Sequence, residues 1–251
     1  MCNLIIPLLF SFLLFPFSFE KGFAADFNIN PVKIFFDAKQ KSTVLKVKNN
    51  AEEKLTLQVN AVAWSQDEDG KDVYSQTEDV IVFPKIFSME KDEERIIRIG
   101  IKVPPGTHEK TYRIYLEEIP PPRELTLTGA TLRTLMKVGV PVFIAPLKAS
   151  PEGKIEKVDI SQGTLAFLVV NKGNLHYIMK GVKIEGFDRE GTQVFTTDLG
   201  GWYVLSGRSK QFSVKVPRET CVKIANFNIE VTADVVSLRE TFNVQPEMCS
   251  P

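Results

Sequence analysis

Histidine and cysteine are scarce in this chain: two and three of 251 residues. One of the cysteines, Cys2, lies at the extreme N-terminus. A metal cluster built from imidazole and thiolate is therefore out of reach, and no metal site is expected. An excess of either charge is missing as well. Lys+Arg and Asp+Glu both count 31, so the formal net charge is zero. Bulk attraction to nucleic acid or to anionic lipid is excluded on that ground. No Gly-rich phosphate loop occurs, and no Cys or Asp stands with His108 or His176 at a nucleophile–base spacing. His108 lies in a turn, where a surface role is the default, and His176 sits beside one. Asp67-Glu68-Asp69-Gly70 resembles part of a calcium loop, but Gln76 stands where that loop needs its acid, so a solvated hairpin is the better reading. No enzymatic activity and no cofactor are expected.

Long apolar runs are absent except for one. Leu4 to Phe19 is almost unbroken, and Gly22 to Ala25 supplies small residues for cleavage, which gives a secretory signal over residues 1–24. No other stretch is apolar enough to span a bilayer, so the mature chain is not membrane-embedded. Its length, about 227 residues, suits one large or two modest domains. Two cysteines remain in it, Cys221 and Cys249. In an exported chain an even pair suggests one disulfide, closing a loop worth about 3–4 kcal/mol in the chain-entropy model; two free buried thiols are the alternative.

What is abundant is alternation. Leu55, Leu57, Val59, Ala61 and Ala63 share one face of a strand over 54–63, and Ile97, Ile99 and Ile101 share one over 95–101. Further strands are expected over 43–48, 111–119, 133–145, 164–170, 211–216, 226–231 and 241–244. Turn chemistry separates them: Asp67–Gly70, Pro104–Gly106, Asn171–Asn174, Asp188–Gly191 and Ser206–Arg208. No segment sustains a helical period. Strands every 8–15 residues or so without helices between them imply an all-β protein of sandwiches, with roughly fourteen strands, twice one immunoglobulin-like set. Patterning lapses at 145–153, which divides the mature chain into 25–147 and 148–251.

Two features stand apart. Glu118 shares the apolar face of Tyr112, Ile114 and Leu116, where a carboxylate needs a cationic partner unless it escapes to water at the strand end. Arg98, facing away from Ile97 and Ile99, is a candidate partner. The second feature is the long strand 132–144. Leu132, Thr134, Met136, Val138, Val140 and Val142 lie on one side, and Arg133, Leu135, Lys137, Pro141 and Phe143 on the other. Pro141 favours an edge strand or its end. A long apolar edge must be covered, either by a strand from a partner or by the home domain.

The residues Val32–Asp37, Ala61–Trp64, Arg95–Ile99, Tyr115-Leu-Glu-Glu-Ile-Pro-Pro121 and Val140–Pro146, in this order, resemble those of the periplasmic pilus chaperones of the chaperone–usher pathway, the PapD-like proteins. The resemblance covers essentially the whole mature chain. It implies two immunoglobulin-like sandwiches in an L-shaped arrangement, acting as a chaperone rather than an enzyme. The partners implied are pilin or fimbrial subunits and an outer-membrane usher, met in the periplasm by a chaperone that is monomeric when free or bound 1:1 to a subunit. Each subunit lacks its last strand, and the chaperone lends its own, which is donor-strand complementation. The matching donors are Leu132, Thr134, Met136, Val138 and Val140. Family members anchor the subunit's terminal carboxylate with two cations. The first falls on Lys33; the second falls on Pro141, which leaves Lys137, about 13 Å further along the strand, as its substitute. The family's interdomain ion network falls on Arg98, Glu118 and Asp234. Its C-terminal disulfide joins neighbouring late strands, which for this chain implies Cys221 with Cys249. A secreted two-domain adhesin or structural surface subunit is the competing reading.

Overall fold

A computed structural model describes residues 26–121 and 134–249. In the first half the strands are β1 (Phe27–Asn30), β2 (Ile34–Phe36), β3 (Ser42–Asn49), β4 (Leu55–Gln66), β5 (Asp72–Gln76), β6 (Val80–Phe83), β7 (Ile86–Met89), β8 (Glu94–Ile101), β9 (Lys110–Glu118) and β10 (Lys137–Ile144). They form two facing sheets. One has the order β1-β3-β8-β6; the other runs β2-β10-β9-β4-β5, with β7 also on β4. The alternation of the sequence closes the core between them: Leu45, Val47, Ile97 and Ile99 from one sheet meet Leu57, Val59, Ile114, Leu116 and Val142 from the other. Full burial of each such side chain is worth about 1.5–3 kcal/mol.

The second half repeats the plan with β11 (Gly153–Ser161), β12 (Thr164–Asn171), β13 (Tyr177–Phe187), β14 (Gln193–Gly200), β15 (Tyr203–Val204), β16 (Ser209–Lys215), the helical turn α1 (Arg218–Cys221), β17 (Asn226–Ala233) and β18 (Ser237–Asn243). A sheet ordered β11-β12-β16 packs on one ordered β14-β13-β17-β18, with β15 on β13. Leu165, Phe167, Val182, Ile184, Phe227 and Ile229 fill the space between them. Cys221 and Cys249 form a disulfide, with a Cα–Cα distance of 5.8 Å. It joins α1 to the 3-10 turn Pro246–Cys249 and not two neighbouring strands.

The described residues hold eighteen strands against the expected fourteen, and two of those passed over, β11 and β13, were missed for a physical reason. β11 and β13 each carry a register shift, between Glu156 and Asp159 and between Met179 and Gly181. A bulge reverses the parity of the inward face. In β13 the buried positions run Tyr177, Met179 and then Val182, Ile184, so a search for strict alternation passes over it.

The two sandwiches meet through a small aromatic core. Trp64 and Phe143 from the first touch Tyr203 and Leu205 from the second, and all four are buried.

Candidate functional site: an open strand edge at the domain junction

β10 has unequal edges. Along one it pairs with β9 over its whole length, from Lys137 opposite Glu117 to Ile144 opposite Lys110. Along the other it meets β2 only from Val142 to Ile144, in parallel. Among the described residues, Lys137 to Pro141 therefore face no strand on that second side. Pro141, which lacks a ladder donor, stands just before pairing with β2 begins. Met136 extends the open stretch and is held in line by Glu118: its carbonyl accepts Glu118 N–H at 2.9 Å, and its own N–H donates to Glu118 Oε2 at 3.2 Å.

Side-chain parity divides the expected donors. Met136 and Val138 are half-buried on the face that continues the home core, and Thr134 is exposed. Val140 is 2% exposed and belongs to that core. Its side chain packs at home, unlike those of Met136 and Val138. Leu132 lies outside the described residues.

The opposite face of the same sheet looks onto the second sandwich. Lys33, just before β2, is half-buried, with Nζ 5.7 Å from the centre of the Tyr203 ring. Phe35 stacks on Phe143 at 5.4 Å and leaves 55% of itself exposed beside it. Lys137 is elsewhere. It pairs with Glu117 and lies over Tyr115 at 4.4 Å. The bond to Glu117 is the main cause that raises its pKa. Ladder register sets the two lysines apart, because Lys33 precedes the residue opposite Val142 while Lys137 sits five residues up the strand. The structure does not bring them together.

The cation that does sit opposite Pro141 is Arg113 on β9, which the sequence reading passed over. Its guanidinium carbon lies 4.1 Å over Trp64, and Nη1 donates to Tyr74 Oη. Its side chain is 12% exposed, 3.8 Å from Asp72. Gly139 makes room for the stem, since a Cβ there would come within 2.8 Å of Arg113 Cδ. The signal was present in the sequence: Arg113 and Tyr115 alternate with the apolar face of their strand.

The expected ion network is likewise not assembled. Arg98 is exposed on the outer face of β8, whereas Glu118, 8% exposed, faces inward from the other sheet. The core of the sandwich lies between them. Asp234 belongs to the β17–β18 turn, where its carboxylate accepts the N–H of Ile178 at 2.8 Å.

Other residues join the sandwiches. The Gln66 amide behaves as a short length of strand, donating to the Tyr203 carbonyl at 2.9 Å and accepting Leu205 N–H at 3.0 Å. Trp202 Nε1 donates to Asp72 at 3.2 Å. The tip of the hairpin 67–70, expected to be solvated, presses on the second sandwich: Gly70, at φ 75°, leaves no room for a Cβ, which would lie 2.6 Å from the Ser209 carbonyl. Glu109 and His176 form a buried pair at 2.7 Å.

Comparison with known proteins gives a consistent picture. Residues 26–150 match the family described as pili and flagellar-assembly chaperone, PapD N-terminal domain. No curated protein matches the chain at the level of sequence. Among solved structures, a chain of the CsuC–CsuE chaperone–tip adhesion subunit pre-assembly complex, from archaic Csu pili of Acinetobacter baumannii, is similar with a TM-score of 0.58. The identity is 17%, over 85% of this chain and 98% of that one. The complex of SafA pilin with the SafB chaperone from Salmonella enterica is similar at TM-score 0.58 and 14% identity, over 89% and 99%. The class 5 fimbriae chaperone CfaA follows at TM-score 0.56 and 13%, over 88% and 100%. At these identities the solved structures establish the shared two-domain fold.

Proposed function

Because this chain belongs to the family of pilus-assembly chaperones of the PapD type, we propose that it captures pilin subunits along the open edge of β10, from Met136 to Pro141. The observation that carries this is the one-sided pairing of β10. Backbone N–H and C=O groups on that edge can bond a strand of any sequence, which suits a chaperone serving varied subunits. Met136 and Val138, on one face, supply the apolar side chains that fill a subunit's open core; Thr134 and Leu132 continue the row.

An incoming strand parallel to β10 lies in line with β2, and its C-terminal end reaches Lys33. The ammonium group there suits a terminal carboxylate, and Lys33 is the proposed anchor. Lys137, engaged by Glu117, serves the rim of the groove. The similar structures from Acinetobacter baumannii and Salmonella enterica pair a chaperone with a tip subunit or a pilin, in keeping with a subunit partner for this chain. We further propose that residues 1–24 direct export to the periplasm, that 25–147 and 148–251 are the two working units, that the free protein is monomeric, and that an outer-membrane usher receives the loaded chaperone. Family membership sets aside the reading as a secreted adhesin or surface subunit.

Co-expression with a pilin subunit tests the assignment. Met136→Glu places an ionised group in an apolar groove and abolishes co-purification; Lys33→Ala weakens it while the fold persists. Wild-type yields of subunit with both variants contradict the reading.

A further inference from the structure

Among the side chains along the open edge, Met136 differs in its chemistry. The aliphatic groups of Val138 and Val140 and the hydroxyl of Thr134 are spared by mild oxidants; a thioether is not. Four of the five methionines of the chain lie among the described residues. Met89 is fully buried in the first core, and Met179 is 2% exposed in the second. Met248 is half-buried where the final turn packs on the second core. Met136 is half-buried and continues the edge from Lys137 to Pro141, which faces no strand among the described residues. Cysteine sulfur is out of reach, since Cys221 and Cys249 are buried and joined to each other. An oxidant arriving from solvent therefore meets thioether sulfur at Met136 and Met248, and the first of these stands in the row that fills a subunit.

The backbone of Met136 is held independently of its sulfur. Glu118 donates its N–H to the Met136 carbonyl and accepts the Met136 N–H on its carboxylate. Oxidation at the far end of the side chain leaves both bonds in place, so the change is confined to what the side chain offers a partner. Methionine is unbranched and polarisable, which lets one side chain fill cavities of differing shape and suits a chaperone serving varied subunits. Its sulfoxide carries a strong S–O dipole and an acceptor oxygen. Within an apolar core that oxygen gives up its hydration and finds no donor in return.

We propose that Met136 is a modification site: a peroxide oxidises its thioether to the sulfoxide, and the modified edge no longer holds a subunit. A sulfur lone pair attacks one peroxide oxygen, and the S–O bond forms as the O–O bond breaks. The departing hydroxide takes the proton left on the transferred oxygen and leaves as water. Sulfur is oxidised by two electrons, and the peroxide is reduced by two. Sulfoxide reductases, one for each epimer, reverse the change. The proposal rests on the capture reading above and gives it a regulation: oxidising conditions withdraw the chaperone from assembly without unfolding it.

The test treats the purified protein with hydrogen peroxide and follows each methionine by peptide mass spectrometry. Circular dichroism monitors the fold, and capture is measured with a pilin subunit diluted from denaturant. Met136 is expected to oxidise ahead of Met89 and Met179, and capture to fall at least tenfold as its sulfoxide accumulates. The fold should persist, and treatment with both reductases should restore capture. Met136→Leu removes the sulfur; whatever the starting yield of this variant, peroxide should leave that yield unchanged. Met248→Leu should lose capture on treatment as the wild type does. Full capture by protein oxidised at Met136 overturns the proposal. So does loss of capture in peroxide-treated Met136→Leu, and so does a Met136 that resists oxidation as Met89 does. Untreated Met136→Glu reports on the capture reading alone. If that variant still captures subunit, the reading fails and the regulation with it; if it does not, full capture by the sulfoxide counts against the regulation only.

Discussion

Tyr112 illustrates how a single side chain on an inward face ties stability to pH. Its hydroxyl is buried and donates to Asp79 Oδ2 at 2.7 Å. Burial first, and the neighbouring carboxylate second, push the phenol pKa well above its ordinary value. A group whose pKa is raised by folding contributes stability that is complete below its unfolded value, about 10 for tyrosine, and is lost as pH rises through the folded value. Denaturant unfolding followed across the alkaline range should show stability falling above about pH 10, and Tyr112→Phe should flatten that fall. An equally steep decline in the variant would contradict the assignment. Residues of this kind were legible from parity alone, and so was the inward position of Glu118. His176 was not. Its partner Glu109 is 67 positions away, and no local pattern marks a histidine that is buried only when a second domain arrives. Arg98 shows the converse: parity placed it on the outer face, and proximity to Glu118 does not follow from a shared family position when the core of a sandwich separates them.

At the scale of elements, alternation identified β3, β4, β8 and β9 to within a few residues, because each buries one clean face, and apolar content identified β12 and β17. β11 and β13 escaped because their bulges shift the inward face by one position, and β14 escaped because its exposed, half-polar face gives little contrast. The disulfide was legible as a pair but not as a location. It fastens α1 to the final turn and closes 28 residues that include β17 and β18. Chain entropy alone assigns it about 3–4 kcal/mol. The double variant Cys221→Ser, Cys249→Ser should lose stability of that order in guanidinium titration, with the loss confined to the second sandwich. Equal destabilisation of both sandwiches would mean that the bridge also supports the junction. The open edge of β10 lay between these cases. Pro141 and the apolar run announced an edge strand; the place where β2 takes over, and with it the burial of Val140 in the home core, depends on a strand over a hundred residues earlier.

At the scale of the molecule, two sandwiches with separate cores are joined by a thin layer of rings and a few precise hydrogen bonds. The family of the chain was legible in the ordered anchor segments, which span both the first strands and the long one. The junction was not, since Gln66, Glu109 and His176 do their work only across it. Among the described residues, such an arrangement leaves Lys137 to Pro141 of β10 without a strand on one side, which is what a protein needs in order to lend backbone to another chain. Amide hydrogen exchange on the free protein and on its complex with a pilin subunit measures this most directly. The account predicts that the amides of Lys137 and Gly139, which point away from β9, exchange quickly in the free protein and become strongly protected in the complex, while those of the outer strand β14 do not change. Unaltered exchange at Lys137 and Gly139 in a saturated complex would contradict it.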